Sequence, residues 1–312
     1  MAARPLERET TVARPVSYEG RGLHTGRPSR VTIRPAPCGT GIAFVRTDLP
    51  RPVSIPARVE FAAMSRRATG LARDGVAVST VEHLLAAVLW GGVDNALIEV
   101  DGEEIPLGDG SSRVFVDIVE EAGIVELERE RGPLSVDRAV RVERGEARAI
   151  ALPHEGLRVS FTFVGARRGM RTEHVEFEVT PETFRTEIAP ARTVGFEWEL
   201  ATLREMGLAL GATPDEAVIV GENGYVGPAR FPDEAARHKA LDLLGDVALL
   251  GRVSGHFIGI GSGHALNHEL ARAVVRQAAH ARPGATGTED GLHDRRRGNP
   301  EGASAQVPVS SR

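Results

Sequence analysis

Ser79-Thr80-Val81-Glu82-His83 leads directly into Leu84-Leu85-Ala86-Ala87-Val88-Leu89-Trp90. A run this apolar reads as a buried helix, with Thr80 near its N-cap. Such a helix carries a carboxylate and an imidazole into the core. Unpaired, polar groups in an apolar setting cost about 2–7 kcal/mol each. The fold must therefore bring polar partners to the first turn of this helix. On the segment alone two readings stand. In one, His83 is a metal ligand and Glu82 is the base acting on water, the division of labour of zinc hydrolases. In the other, Glu82 caps the helix and His83 is a packed, satisfied core histidine.

The length of 312 residues suggests about two domains. Charged residues are 26% and hydrophobic residues 41%, which excludes a disordered acidic or basic chain. A net charge of -5 and 4% aromatics argue against nucleic acid as the partner. A single cysteine, Cys38, excludes an internal disulfide framework and a Cys-rich zinc finger. Residues 1–20 are polar and Arg-bearing, without the apolar stretch of a signal peptide. The longest apolar run, residues 84–93, is far shorter than the ~18 residues of a membrane span. A cytoplasmic protein with no membrane span is expected. Of 38 Lys and Arg residues, one is a lysine, Lys239. Chance accounts for this, or Lys239 occupies a tight site that the bulkier guanidinium fork does not fit.

Two halves mix strands and helices. In residues 6–125, segments 30–33, 41–46 and 95–100 read as strands, and 112–122 as a second helix. Residues 126–133, Glu-Leu-Glu-Arg-Glu-Arg-Gly-Pro, read as a charged linker. In residues 134–281, strands are expected over 134–142, 157–164 and 257–263, and helices over 197–206, 235–250 and 267–281. Residues 282–312 have the composition of a disordered tail.

Several constellations could carry chemistry. His238 and Asp242 are four residues apart on the expected 235–250 helix, so both can reach one point, as a metal pair requires. Asp246 lies within about 80° of His238 on the same wheel. The alternative is a solvated polar face. Ser262-Gly263-His264-Ala265-Leu266-Asn267-His268 places a histidine on a glycine loop before a helix; a general acid, a ligand and a plain loop histidine all remain open. In Arg192-Thr193-Val194-Gly195-Phe196, the Thr193 hydroxyl stabilises an oxyanion or caps a helix. Gly22-Leu23-His24-Thr25-Gly26 makes a tight loop, and Glu104 to Ser112 reads as a structural turn with Ser111 or Ser112 capping a helix. No spacing rule joins His83 to His238.

Taken together and in order, these motifs resemble the UDP-3-O-acyl-N-acetylglucosamine deacetylases, zinc amidases of lipid A biosynthesis. The resemblance covers about residues 10–280: Gly22 to Gly26, Ser79 to Leu84, Asp94-Asn95, Glu104 to Ser111, Ala191 to Phe196, Arg237 to Asp246 and Ser262 to Asn267. It implies an α+β fold of two related layered domains packed through their helices. The metal site would lie between them, with small inserts near 60–75 and 195–226. His83, His238 and Asp242 would hold zinc, iron(II) being the other candidate. Glu82 would be the base, His264 the acid, Asp246 its orienting carboxylate, and Thr193 a donor to the acetyl carbonyl. Lys239 would contact the substrate diphosphate. Leu23, Phe196, Leu200, Ala209, Ala217 and Ile219 would bind substrate, most of them along an acyl passage. The implied reaction removes acetate from the 2-acetamido group of UDP-3-O-(3-hydroxyacyl)-N-acetylglucosamine, in the cytoplasm of a Gram-negative-type bacterium, by a monomer with at most transient lipid contact. Alternatives are a zinc amidase acting on another acylated amino sugar and a non-catalytic nucleotide-lipid-binding relative.

The chain departs from the family pattern in three places. Val194 stands where phenylalanine is usual, and Pro214 where an aromatic is expected. A His-Pro-Ala-Ile stretch is missing around 164–176, with Arg167 and Arg168 as candidate replacements.

Overall fold

The computed structural model describes residues 8–64, 67–165 and 171–280. The tail expected over 282–312, and Arg167 and Arg168, lie outside them. Alternating apolar residues build two mixed sheets. In the first, the strands run in the spatial order Val16–Arg21, Pro28–Pro35, Ala96–Val100, Ile42–Arg46, Val53–Pro56. In the second, five strands run Val140–Arg144, Ala147–Leu152, Val253–Ile260, Leu157–Phe163, Glu173–Glu178, and Leu134–Ser135 pairs with the central one. Each five-strand path inserts its last strand between its second and third. In each, that last strand is parallel to the third and antiparallel to the second. A three-stranded sheet interrupts each half at the corresponding place. One comprises Ala62–Met64, Thr69–Arg73 and Val76–Ser79; the other comprises Thr193–Phe196, Ala217–Gly221 and Gly224–Val226.

The inward positions of the first sheet, including Ile33, Phe44, Ile55 and Ile98, are fully buried. Each such side chain contributes about 1.5–3 kcal/mol relative to exposure. The Glu82–Trp90 helix is buried along its whole length, as its composition demands. It packs on the Glu234–Val247 helix of the other half. Trp90 Nε1 donates to Leu244 O at 3.0 Å. At this crossing Gly245 has no side chain because none fits: a Cβ there would stand 2.5 Å from Glu82 O.

Several expectations need correction. Thr80 does not cap the helix. It adopts φ 60°, a left-handed conformation rare for a β-branched residue, and its hydroxyl donates instead to Glu104 Oε1 at 3.0 Å. Ser112 is the N-cap residue of the Arg113–Ala122 helix, but its hydroxyl donates to His83 O at 2.8 Å. The Ser111 hydroxyl accepts the first helical amide, that of Arg113, at 3.1 Å, as expected of one of the two serines. Most of the expected linker is a strand. Ile124–Glu130 pairs antiparallel with Arg8–Val12, and its alternating charges lie on an exposed ribbon. The expected 134–142 strand is two, Leu134–Ser135 and Val140–Arg144, on different neighbours. The final helix begins at His264 rather than at Asn267, because Gly263 O already accepts the amides of Leu266 and Asn267. His264 is therefore in a first helical turn, not on a loop.

Candidate functional site

The Glu82–Trp90 helix presents His83 from its first turn, and the Glu234–Val247 helix presents His238 and Asp242 one turn apart. The three side chains are buried. His83 Nε2 is 3.6 Å and His238 Nε2 3.3 Å from Asp242 Oδ1. The two imidazoles stand at 90° with centroids 4.9 Å apart. A tetrahedral ion bonded at about 2.0 Å sets its donors about 3.3 Å apart, so this spacing fits a metal cofactor. His238 Nδ1 lies 3.1 Å from Ala191 O; donating there leaves its Nε2 lone pair free for a ligand bond. Burial pushes the His238 imidazole below its ordinary pKa, which keeps it neutral as a ligand must be. Burial acts to raise Asp242, but Lys239, His238 and His83 override it and hold the carboxyl well below the usual range.

Beside this set stands a second group. Burial raises the Glu82 carboxyl above its ordinary pKa, and its Oε2 accepts the Thr69 amide at 3.0 Å. His264 Nε2 is 3.8 Å from Glu82 Oε1. On the other side of that ring, Nδ1 donates to Asp246 Oδ2 at 3.0 Å. Burial disfavours the His264 imidazolium, and so does its place at a helix N-terminus. Asp246, aided by Asp242 and Glu82, overrides burial and raises it to about 10. Asp246 is fully buried and has further partners in Asn267 Nδ2 at 2.8 Å, His268 Nε2 at 3.0 Å and the Thr69 hydroxyl. Burial acts to raise Asp246; His264 and His268 override it and keep the group ionised.

Both groups open onto a cavity of about 540 Å³. Glu82, His83, His238, Asp242 and His264 form one part of its wall. Thr193, Phe196, Leu200, Ala209, Ala217 and Ile219 line the part supplied by the second insert, with Val194 and Pro214 among them. Leu23 and Lys239 also line it. The structure thus brings the expected site residues to one place, with Asp246 behind His264. Lys239 additionally pairs with the carboxylate of this set, its Nζ lying 2.8 Å from Asp242 Oδ2.

The sequence reading missed four supports. Thr69 and His268 contact Asp246. Glu104, read as part of a structural turn, accepts the amides of His24 and Thr25 at 2.8 Å each and so holds the Gly22–Gly26 loop that places Leu23. Arg192 pairs with buried Glu234 at 2.9 Å and donates to Asp215 O and Pro228 O. This anchors the second insert to the start of the helix that carries His238 and Asp242. Thr69 gave no local signal; for the other three the only one is the glycines and capping-like serines nearby.

Residues 9–276 match the family of UDP-3-O-acyl N-acetylglycosamine deacetylases. The chain belongs to that family. Among relatives named UDP-3-O-acyl-N-acetylglucosamine deacetylase, that of Myxococcus xanthus (strain DK1622) is 43% identical over 270 residues, 86% of each chain. That of Syntrophotalea carbinolica is 41% identical over 273 residues, covering 86% of this chain and 88% of its own. That of Anaeromyxobacter dehalogenans (strain 2CP-C) is 41% identical over 286 residues, covering 90% and 92%. In this member of the deacetylase family, no helix among the described residues is long and apolar enough to cross a membrane.

Proposed function

We propose that the chain hydrolyses the 2-acetamido group of UDP-3-O-(3-hydroxyacyl)-N-acetylglucosamine, releasing acetate for lipid A biosynthesis. One observation carries the reading: in a member of this family, two imidazoles and a carboxylate at ligand spacing adjoin an acid–base pair on the wall of a cavity with an apolar side. A zinc or iron(II) ion held by His83, His238 and Asp242 would supply Lewis acidity, making water more acidic and polarising the acetyl carbonyl. Glu82, made more basic by burial, takes a proton from the attacking water as its oxygen bonds to the acetyl carbon. The Thr193 hydroxyl donates to the carbonyl oxygen, which gains negative charge in the transition state. His264, held protonated by Asp246, gives its proton to the amine nitrogen as the C–N bond breaks. Acetate and the free amino sugar leave.

Leu200, Ala209, Ala217 and Ile219 receive the acyl chain along the apolar wall, with Leu23 and Phe196 beside it. Lys239 faces a diphosphate oxygen with its ammonium while remaining paired to Asp242. The shared strand order of the two halves supports two related domains, residues 6–125 and 134–281. The reading is tested by incubating purified protein with the UDP-linked substrate and with the same acylated sugar lacking UDP, and measuring acetate. Release that depends on UDP supports it. Equal rates on both would transfer the activity to a different acylated amino sugar, and binding without release would make the chain a nucleotide-lipid-binding relative.

A further inference from the structure

Thr69 begins a strand of the first insert, Thr69–Arg73, and its side chain is fully buried. Two separate atoms of this residue meet two separate parts of the site. Its backbone N–H donates to Glu82 Oε2 at 3.0 Å. Its hydroxyl donates to Asp246 Oδ1, and the same oxygen is 3.1 Å from His268 Nε2 and 3.2 Å from His264 Nδ1. The backbone then continues the link, since the Val81 amide donates to Thr69 O at 3.2 Å. That bond ties the strand to the entry of the helix that carries Glu82.

We propose that Thr69 is a positioning residue that sets the proton donor His264 at a fixed distance from the proton acceptor Glu82, through its hydroxyl on Asp246 and its amide on Glu82. This rests on the acid–base roles proposed above. The hydroxyl and His268 converge on one oxygen of Asp246, while Asn267 takes the other. With the hydroxyl removed, Asp246 Oδ1 keeps only imidazole partners, both from the final helix, and loses its bond to the insert. The backbone of Asp246 stays on the Glu234–Val247 helix, but its carboxylate can then turn toward the final helix, and the His264 ring turns with it. The 3.8 Å separation of His264 Nε2 and Glu82 Oε1 then loses the side-chain bridge through Thr69 and rests on helix packing alone. Displacements of this kind leave substrate binding intact and reduce the chemical step, because geometry at the reacting atoms matters most in the transition state. The first insert thereby becomes part of the catalytic apparatus, where its small sheet alone would read as cavity wall.

The test compares Thr69→Ser, Thr69→Ala and Thr69→Val by steady-state acetate release on metal-loaded protein. The expected result is that kcat follows the hydroxyl. Ala and Val lose about 10- to 100-fold in kcat with KM little changed, and Ser recovers most of the loss. If kcat instead follows the methyl group, with Val active and Ser as impaired as Ala, Thr69 is a packing residue and the proposal is overturned. Should Val fail to fold, the Ser–Ala pair still decides: equal impairment overturns the proposal. A wild-type protein that releases no acetate would sink the deacetylase reading rather than this one. In that case the Nδ1–H proton resonance of His264 is read in the folded protein. The proposal expects it to shift in Thr69→Ala and to stay in place in Thr69→Ser; no shift in either overturns it.

Discussion

Replacing Asp246 by Asn removes one charge from behind His264 and leaves the amide able to occupy nearly the same space. In the native arrangement the imidazole is raised to about 10 from an ordinary 6.5. That difference favours the protonated ring by about 5 kcal/mol. With Asp246 neutral, Asp242 and Glu82 remain to work against burial, and the ring returns toward its ordinary value. Near pH 7.5 native His264 is almost wholly protonated, whereas a ring at the ordinary value would be only about a tenth protonated. On the proposed reading, kcat/KM at that pH falls by up to about tenfold from protonation alone. The descending limb of the pH–rate profile moves several units toward neutrality. A bound cation nearby lowers both limbs, so the native descending limb lies at or below about pH 10. The assay is acetate release from about pH 5.5 to 10 by native and variant protein, each with its metal content measured. A variant whose descending limb coincides with the native one would refute the assignment of His264 as the donor held charged by Asp246. The same pair carries stability. The raised His264 contributes fully below 6.5 and loses its contribution as the pH rises through about 10. The depressed Asp246 contributes above 3.8 and loses its contribution in acid.

Three further outcomes are expected. Glu82→Ala is expected to keep its metal, because the proposed ligands His83, His238 and Asp242 are untouched, and to lose about 10²- to 10⁴-fold in kcat as a general base would; full activity with metal retained would exclude it. Gly245→Ala forces a methyl group to within 2.5 Å of Glu82 O at the helix crossing. It should cost about 1–3 kcal/mol of stability, read by denaturant unfolding, and an unchanged midpoint would mean the helices separate freely. Val194→Phe fills part of the cavity wall and shifts the acyl preference toward shorter chains, measured as relative kcat/KM across a chain-length series; an unchanged preference would remove Val194 from the acyl passage.

What could be read in advance followed the range of the forces involved. The Glu82–Trp90 helix was legible because its composition leaves it no exposed face, and the i, i+4 spacing of His238 and Asp242 is a local geometric fact. The meeting of His83 with that pair is set by packing between halves, and only the ordered set of motifs pointed to it. Thr80 has the local pattern of a cap, but its left-handed backbone answers to Glu104, 24 residues away. Residues 126–133 read as a linker because the exposed two-stranded ribbon that takes up most of them has no buried face to impose an apolar alternation. Thr69 carried no signal at all: a threonine in a small strand says nothing about an aspartate 177 positions later.

The most direct test of the account is acetate release from the UDP-linked substrate by protein stripped with a chelator and then reloaded with zinc. The account predicts that turnover disappears on stripping and returns at about one ion per chain, and that His83→Ala, His238→Ala and Asp242→Ala variants fail to recover it. Undiminished turnover by metal-free protein, or recovery by those variants, would contradict a centre built on His83, His238 and Asp242.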